Sequence, residues 1–397
     1  MPNNSKIQTA TTRYSSVIII LIVAVGVILR FMLAMFPYNY DFGSYLIVGD
    51  LVSKGRNVYA HTFRYNYSPL FSLIQGLFYN ISGSSAVSAG IYRTLFVLLM
   101  TSADIIAFIY IIRKRNLLCG AFFFLNPITI ITSGYLLQFD ILAVVPAFMA
   151  AEYMRHNTSG KINRKDAAAV ILLSLSLTVK HLLFVFPAWI LMSKRLSMKR
   201  KALFAFVPPA VFLASFLPYV STGMGGIIRN VFLYRSFANF PIMFSGLIKT
   251  LTGTDNPFSF PLFVVLMVIT GYLLRNEETD KLMACYFIAL VCFSSAVANH
   301  YLAIPCIAIA ILAGPTLLPD LYSILLGIFL LLNFDGLNLF DVIISEIDNK
   351  YLGNLITGLS IRDIMYPIAC YLLLGILISY MKEKRIIDPP AKQMKKN

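Results

Sequence analysis

The stretch VIIILIVAVGVILRFMLAMFPYNYDFGSYL, residues 17–46, decides the class of fold. Its first part, 17–36, is long and apolar enough to cross a bilayer as one helix, because a span needs about 20 apolar residues. We expect it to stay in the chain as a span and not to be removed as a signal peptide. Asp41 follows among aromatic residues and a glycine. A carboxylate at the edge of a membrane is costly, so its default interpretation is functional.

The composition extends this conclusion to the whole chain. Of the 397 residues, 58% are hydrophobic and 13% are charged, and the mean hydropathy is +0.76. Soluble domains carry about 25% charged residues, so the composition excludes a soluble globular protein and indicates a polytopic membrane protein. The formal charge of +15 does not indicate nucleic acid as a partner. The basic residues cluster between apolar runs, which is the pattern of the positive-inside rule.

The apolar segments predict an all-α fold of about twelve transmembrane helices, with both termini cytoplasmic. One segment, 167–193, has basic residues at both ends and the pair Lys180-His181 in its middle. We therefore predict two half-spans there that meet at this pair. The other expected spans are 17–36, 91–112, 117–133, 139–154, 203–220, 257–274, 281–297, 300–317, 320–333 and 364–381.

The segments between the spans predict one domain with an unusually large first outer loop. Residues 37–90 are too polar for two simple spans, and we expect interfacial helices within them. Residues 221–256 and 334–362 are predicted to be further outer loops. The basic stretch 382–397 is predicted to be a cytoplasmic tail.

The predicted topology brings many polar side chains to the outer side of the membrane. Cations among them suit the phosphate of a lipid, because Arg and Lys bind phosphate oxygens with charge-assisted hydrogen bonds. Snorkelling side chains and general attraction to anionic lipid are the alternative interpretations. The candidate phosphate-binding residues are Lys180, His181, Arg229, Arg235 and His300.

The acids have separate predicted roles. Asp41 could act as a general base that accepts a proton from an attacking hydroxyl. Asp140 could do the same, could orient a sugar hydroxyl together with Gln138, or could simply cap a helix. No HExxH, Walker A, GxGxxG or DxD motif occurs. We therefore expect no dedicated metal site and no cofactor.

Four segments resemble the integral-membrane glycosyltransferases called GT-C. Asp41 followed by KGRNVYA and YNYSPL, residues 54–60 and 65–70, is similar to the first outer loop of the polyprenyl-phosphate-mannose-dependent mannosyltransferases. Further similarities occur in LNPITIITSGYLLQFDILAV (125–144), LSLTVKHLLFVFPAWIL (175–191) and NHYLAIPCIAI (299–309). Ser68 stands where a proline is usual in that family. Gly134 and Gln138 are separated where the family often has them adjacent.

The resemblance implies an inverting enzyme that works on the outer face of the membrane. It would move one sugar, a hexose such as mannose, from a polyprenyl phosphate to a hydroxyl of a glycolipid or envelope glycan. Asp41 would be the base, and the chain is expected to be a monomer among membrane lipids. The residues expected to contact the substrates are Asp50, Arg64, Tyr67, Gln138 and Asp140.

Two other classes of function remain open from the sequence. A transporter or flippase of a lipid-linked or anionic solute would also need cations on the outer side. It would also need broken helices in related halves of the chain. A glycan polymerase or ligase would use a diphosphate donor. If the resemblance does not hold, Asp50 and Asp140 are as open to the role of base as Asp41.

Overall fold

The structure is a computed structural model, and it describes residues 4–36, 39–83, 88–156, 161–234, 259–294, 297–332 and 361–387. Every regular element in these ranges is helical, which confirms the all-α prediction. Arg235 and most of the predicted outer loops 221–256 and 334–362 lie outside the described residues, as do residues 388–397.

The first half of the chain contains the helices that carry most of the candidate site. They are α1 (Asn4–Leu33), α2 (Tyr40–Ser53), α3 (Val58–His61), α4 (Pro69–Ser82), α5 (Ser88–Lys114), α6 (Leu117–Phe124), α7 (Pro127–Gly134) and α8 (Asp140–Arg155).

The second half begins with the two predicted half-spans. Its helices are α9 (Arg164–Val179), α10 (Phe186–Met192), α11 (Met198–Ala214), α12 (Val220–Ile227), α13 (Ser259–Leu273), α14 (Thr279–Cys292), α15 (Cys306–Leu312), α16 (Leu317–Leu332) and α17 (Ile361–Ile387). Short 3₁₀ turns at His181–Leu183 and Asn299–Ala303 and a π-helix at Ile228–Phe232 complete the described elements.

Asparagine side chains begin several of these helices. Asn39, Asn57, Asn116, Asn126 and Asn163 each accept a hydrogen bond from a backbone N–H of the first turn that follows. Such a cap satisfies one of the unpaired donors at a helix start and is worth about 1 kcal/mol. The local sequence thus fixes where the helices begin, before any packing is considered.

Four described segments are long and apolar enough to cross a membrane. They are Ser16–Leu33, Ser88–Lys114, Met198–Phe232 and Ile364–Lys384. α6 and α7 would together make a fifth span that bends by 47° between them. A multi-pass membrane protein is confirmed in kind, and the number of twelve spans stays a prediction.

The predicted outer loop 221–256 begins later than expected. The helical segment that starts at Met198 continues through α12 and the π-helix to Phe232. The apolar residues Ile227, Ile228, Val231 and Phe232 support this continuation. Residues 382–387, predicted to belong to a tail, extend α17.

One end of the bundle is joined by ion pairs between helix termini. Lys114 of α5 contacts Asp280 of α14 at 3.2 Å and also pairs with Glu152 of α8. Arg155 of α8 pairs with Glu278 at 3.3 Å. We call this end of the bundle the basic end. It collects the positively charged helix termini that the topology places on one side of the membrane.

The half-spans predicted at 167–193 have a geometry consistent with their basic flanks. Arg200, in the first turn of α11, pairs with Asp166 in the first turn of α9 at 2.9 Å and donates to the carbonyl oxygen of Met154. Both flanks of the segment therefore lie near the basic end. α9 rises by about 24 Å, so the chain must reverse direction after Lys180 to come back.

The segment 37–90 is helical where it is described. α2 and α4 pack so closely that a Cβ on Gly76 would lie 2.3 Å from Cγ1 of Val52. Phe71 and Gln75 on the same face of α4 are buried. The glycine thus permits the close approach that joins these two helices into one layer.

A buried ion pair joins α1 to α5 inside the bundle. Nε of Arg30 donates to Oδ2 of Asp104 at 2.9 Å, and both side chains are buried. Ser133 of α7 donates to the same carboxylate oxygen at 2.7 Å. Arg30 also donates to the carbonyl oxygen of Phe124, at the break between α6 and α7. The ion pair therefore connects α1, which precedes Asp41 in the chain, with α7, which precedes Gln138.

Candidate functional site

The start of α2 carries Asp41 and is tied to a distant part of the chain. Oδ1 of Asn39 caps the helix by accepting the N–H of Phe42 at 2.9 Å. Nδ2 of Asn39 donates to the carbonyl oxygens of Tyr135 at 3.1 Å and Leu136 at 3.3 Å. One side chain therefore both begins the helix and attaches it to the segment that follows α7.

The turn between α7 and α8 brings a second group to Asp41. Leu137 has a φ of 54°, the one positive φ of a non-glycine residue in the described chain, and its carbonyl oxygen accepts the hydroxyl of Tyr45 at 3.0 Å. Such a backbone is strained and tends to occur at functional sites. Nε2 of Gln138 donates to Oδ2 of Asp41 at 2.6 Å. The turn thus presents an amide donor to the candidate base.

The second pair of the site is Asp140 with Lys180. Nζ of Lys180, at the end of α9, lies 2.7 Å from Oδ1 of Asp140 in the first turn of α8, and the two side chains are 3% and 2% exposed. Removing one partner of such a pair leaves a buried charge and is strongly destabilising. The helix-capping interpretation of Asp140 does not hold, because the N-cap position of α8 belongs to Phe139.

Three aromatic rings surround the ammonium group of Lys180. Its Nζ lies 5.4 Å from the ring centre of Tyr67, 5.1 Å from that of Phe139 and 5.3 Å from that of Tyr301. These distances are within the range of cation–π attraction. The first outer segment, the α7–α8 turn and the Asn299–Ala303 turn therefore meet at one cation.

Two histidines border this arrangement. The ring centre of His181 lies 6.3 Å from that of Tyr67, and the ring centre of His300 lies 4.6 Å from that of Tyr301. Nδ1 of His181 and Nε2 of His300 are buried and have no hydrogen-bond partner among the described residues. Each can therefore bond a ligand hydroxyl without first losing a protein partner.

Arg64 adds a cation beside the first turn of α2. Its guanidinium carbon lies 4.0 Å from the ring centre of Tyr40. Nη1 of Arg64 would lie 3.8 Å from a Cβ on Gly43, so this cation stands close to the helix that carries Asp41. Partial burial and, to a smaller extent, the charge of Asp41 raise the pKa of the Tyr234 hydroxyl.

Two of the predicted residues that the structure describes, Asp50 and Arg229, are not brought into this arrangement. Asp50 lies nine residues further along α2, about 14 Å from Asp41 along the helix axis. It pairs with Lys54 at 2.7 Å, and the hydrogen bond from Lys54 lowers the pKa of its carboxyl group. Arg229 is exposed, and its Nε donates to Asn230 at 3.1 Å. Arg235 lies outside the described residues.

The electrostatics of the site can be described for the residues that the structure covers. Lys180 is the cation at its centre, and Asp140 already balances its charge. Sequence reasoning proposed each residue by type and by side of the membrane. It could not see which charges face each other, because the partners come from different helices.

Several residues of the site were missed by sequence reasoning. Phe139 and Tyr301 contact Lys180, and Asn39 holds the start of α2. Asn before a helix is a recognisable cap signal. Gly134, noted for its spacing to Gln138, has a packing role instead. A Cβ on it would lie 2.7 Å from the carbonyl oxygen of Arg30, where α7 approaches α1.

Within the described ranges, no three His, Cys, Asp or Glu side chains converge as metal ligands would. A looser group of residues is connected by pairwise contacts around Lys180 and Gln138, and we call it the acid–lysine site. Its members are Asp41, Tyr67, Gln138, Asp140, Lys180, His181 and His300. The site combines three features. The Asp41 carboxylate is held by the Gln138 amide, Asp140 and Lys180 form a buried ion pair, and tyrosine and histidine side chains lie beside that pair.

The architecture is similar to that of a protein of known structure. A solved structure with this likeness is the crystal structure of ArnT from Cupriavidus metallidurans in the apo state. The alignment covers 94% of this chain and 78% of that chain, with a TM-score of 0.51 and 13% sequence identity. At this identity the likeness establishes the fold alone. No family model and no curated protein matches the sequence.

Proposed function

We propose that the protein is an inverting glycosyltransferase of the GT-C type. It transfers one sugar from a polyprenyl phosphate to a hydroxyl group of a lipid- or envelope-linked acceptor. The observation that carries the proposal is the pairing of Asp41 with Gln138 at 2.6 Å, close to the buried pair of Asp140 and Lys180. The fold shared with ArnT supports the same class of enzyme.

Asp41 is the general base of the proposed reaction. It accepts the proton of the acceptor hydroxyl as that oxygen forms a bond to the anomeric carbon of the sugar. The bond between the anomeric carbon and the phosphate oxygen breaks, and the polyprenyl phosphate leaves with the bonding electrons. Because the attack is direct, the configuration at the anomeric carbon inverts. The hydrogen bond from Gln138 keeps the carboxylate in place while it waits for the proton.

Lys180 stabilises the phosphate on which negative charge develops. Its ammonium group has three N–H donors, so it can hold Asp140 and a phosphate oxygen together. Asp140 then keeps the lysine in position and does not compete for the base role. His181, His300 and Tyr67 line the space beside the ammonium group and bond the sugar hydroxyls or the phosphate.

The finer features of the enzyme belong to the same proposal. The sugar is a hexose such as mannose, and the site opens to the outer face of the membrane with both termini cytoplasmic. The chain acts as a monomer among membrane lipids, and the reaction needs no cofactor and no dedicated metal ion. Arg64 beside α2 and Arg235 in the later loop contribute further positive charge for the donor.

Transfer by purified protein in lipid nanodiscs tests the proposal. The donors are radiolabelled polyprenyl-phosphate hexoses and pentoses, starting with mannose, and the acceptors are lipids extracted from the source membrane. We expect Asp41→Asn to lower transfer by about 10²–10⁴-fold, the usual contribution of a general base. Asp50→Asn makes the same chemical change on the same helix outside the site and should leave transfer unchanged. Wild-type transfer by Asp41→Asn would overturn the proposal.

The second candidate function is a transporter or flippase of a lipid-linked solute. Two broken helix pairs favour it, α6 with α7, bent by 47°, and α9 with α10 around Lys180. Broken helices of this kind line solute sites in transporters. Movement of a fluorescent polyprenyl-phosphate sugar across proteoliposomes distinguishes the two. A transporter keeps this movement in Asp41→Asn, whereas the proposed enzyme shows transfer and no such movement.

A further inference from the structure

Arg93 of α5 connects the two segments that deliver the acid and its amide donor. Its side chain is buried, with 3% of the residue exposed. Nη1 donates to the carbonyl oxygen of Phe36 at 2.5 Å, and Nη2 donates to the carbonyl oxygen of Tyr135 at 3.4 Å. Phe36 precedes Asp41 in the chain, and Tyr135 precedes Gln138.

The same two segments are joined a second time by Asn39. Its amide nitrogen donates to the carbonyl oxygen of Tyr135, the group that Arg93 also contacts. The backbone before Asp41 and the backbone before Gln138 are therefore attached to each other and to α5. None of these bonds involves the carboxylate of Asp41.

We propose that Arg93 is a positioning residue for the reaction. It holds the carbonyls of Phe36 and Tyr135 so that the carboxylate of Asp41 and the amide of Gln138 meet. This inference rests on the proposed function, because it needs Asp41 to be the base. The hydrogen bonds that support this role go from the guanidinium to backbone carbonyl oxygens.

Arginine suits this task because its guanidinium is planar and offers donors in two fixed directions. A lysine at the same position would present a point charge that lacks this fork. The same bonds also give the two carbonyl oxygens a hydrogen-bond donor, and losing them lowers stability. A purely structural role would therefore lower stability, whereas a positioning role lowers kcat beyond any loss of stability.

The surroundings of Asp41 contain other groups that act on it, and they remain in place when Arg93 is changed. Arg64 stands beside α2, and Tyr45 extends from α2 to the carbonyl oxygen of Leu137. The hydroxyl groups of Tyr67, Tyr234 and Tyr301 also lie in electrostatic range of the carboxylate. A change at Arg93 leaves all of these groups in the chain.

An open groove beside Arg93 provides a way to test the role chemically. It has a volume of about 840 Å³ and lies between the end of α1 and the start of α5. Arg93, Phe31, Met35, Phe36 and Gly90 are among the residues that line it. A small guanidinium ion can therefore reach the space that Arg93→Ala vacates.

The experiment measures kcat and KM for the polyprenyl-phosphate donor in Arg93→Ala, with and without millimolar methylguanidinium. We expect kcat to fall about 100-fold, the usual effect of a displacement of about 1 Å at a reacting group. The donor KM should stay at the wild-type value. Methylguanidinium should restore part of kcat in Arg93→Ala and none in Asp41→Asn. Arg113→Ala, an exposed arginine at the other end of α5, should behave as wild type.

Asn39→Ser provides a second variant that does not depend on the folding of Arg93→Ala. Serine caps a helix about as well as asparagine, but it is too short to reach the carbonyl of Tyr135. We expect a fall in kcat at unchanged donor KM here too. The inference is wrong if both variants keep the wild-type kcat. It is also wrong if kcat falls only as much as the fraction of folded protein falls and methylguanidinium gives no rescue. If Asp41→Asn is active, the proposed function fails first, and the two failures are therefore distinguishable.

Discussion

The two ends of the bundle both pair acids with cations, yet they are built differently. At the basic end, the pair of Arg155 and Glu278 is partly solvated, with side chains that are 38% and 42% exposed. At the acid–lysine site, Lys180 and Asp140 are 3% and 2% exposed. Exposed ion pairs contribute little to stability, whereas a buried pair destabilises the fold when one partner is lost.

The difference also concerns how many partners each charge has. Asp280 is shared between Lys114 and Arg155, and Glu152 between Lys114 and His156. Lys114 and Arg155 therefore each keep a second carboxylate when one contact is lost. Lys180 instead has one carboxylate and three aromatic rings. The basic end is thus suited to placing helix termini at a membrane surface, and the acid–lysine site to binding one anionic group.

The largest expected effect comes from breaking the buried pair. Lys180→Met leaves Asp140 buried without its cation, and we expect a loss of about 3–5 kcal/mol in the free energy of unfolding. Lys180→Met with Asp140→Leu should restore most of this stability, since the uncompensated charge is gone. Thermal unfolding in detergent measures the stability, and binding of undecaprenyl phosphate measures function. A double variant that still binds the lipid as wild type would contradict the phosphate role of Lys180.

A smaller effect is expected from Ser68, which connects the first outer segment to the end of α9. Its hydroxyl donates to the carbonyl oxygen of Thr178, two residues before Lys180. Ser68→Ala leaves this buried carbonyl unpaired, and the expected loss is about 1–3 kcal/mol. The donor KM should rise because Lys180 follows the freed carbonyl. Ser102→Ala, on an exposed face of α5, is the matched control, and an equal rise of KM in both variants would rule out the connection.

At the basic end, Arg155→Ala should change stability by less than about 1 kcal/mol, because Glu278 is exposed and Asp280 keeps its contact with Lys114. Transfer activity should remain at the wild-type level. Chemical unfolding at low and at high salt measures the first expectation, since salt screens exposed pairs. A loss of stability as large as that of Lys180→Met would show that solvent exposure does not explain the difference between the ion pairs at the two ends.

The smallest effect concerns Asp50 and Lys54. The hydrogen bond from Lys54 lowers the pKa of Asp50 below its ordinary value of 3.8. The folded protein therefore holds this proton less tightly than the unfolded chain. The resulting stability is present above the unfolded pKa and is lost as the pH falls through the lowered folded pKa. Lys54→Ala should weaken this acid dependence by less than about 1 kcal/mol. The free energy of unfolding of both proteins, measured from pH 7 to pH 3, tests this prediction. If Lys54→Ala and the wild type show the same pH dependence, the pair does not contribute.

Much of the fold could be predicted from local sequence. The apolar run at 17–36 and the basic flanks of 167–193 identify a membrane helix and a reversal, because solvation and charge act on each segment separately. The break at Lys180 lies where the sequence places it, between α9 and the 3₁₀ turn that follows. The extension of the α11 segment to Phe232 was missed, because the predicted span ended at residue 220.

The candidate site was predictable as a set of residues and not as an arrangement. Asp41, Gln138, Asp140 and Lys180 were all named from their types and their expected side of the membrane. Asp50 was named with them, although its position on α2 takes it away from Asp41. Residues along a helix point to different faces. The neighbours of a side chain therefore depend on which face it occupies and on how near it lies to the end of the helix.

The sequence by itself determined that this chain is a helical membrane protein and where most of its helices begin and break. Solvation of apolar side chains and capping of free N–H groups are local effects, and each depends on a short segment of the sequence. Only the tertiary structure decided that Gln138 meets Asp41 across 97 residues, that Asp140 neutralises Lys180, and that Arg93 holds the backbone behind them. Those contacts depend on how helices far apart in the chain pack, and no single segment contains that information.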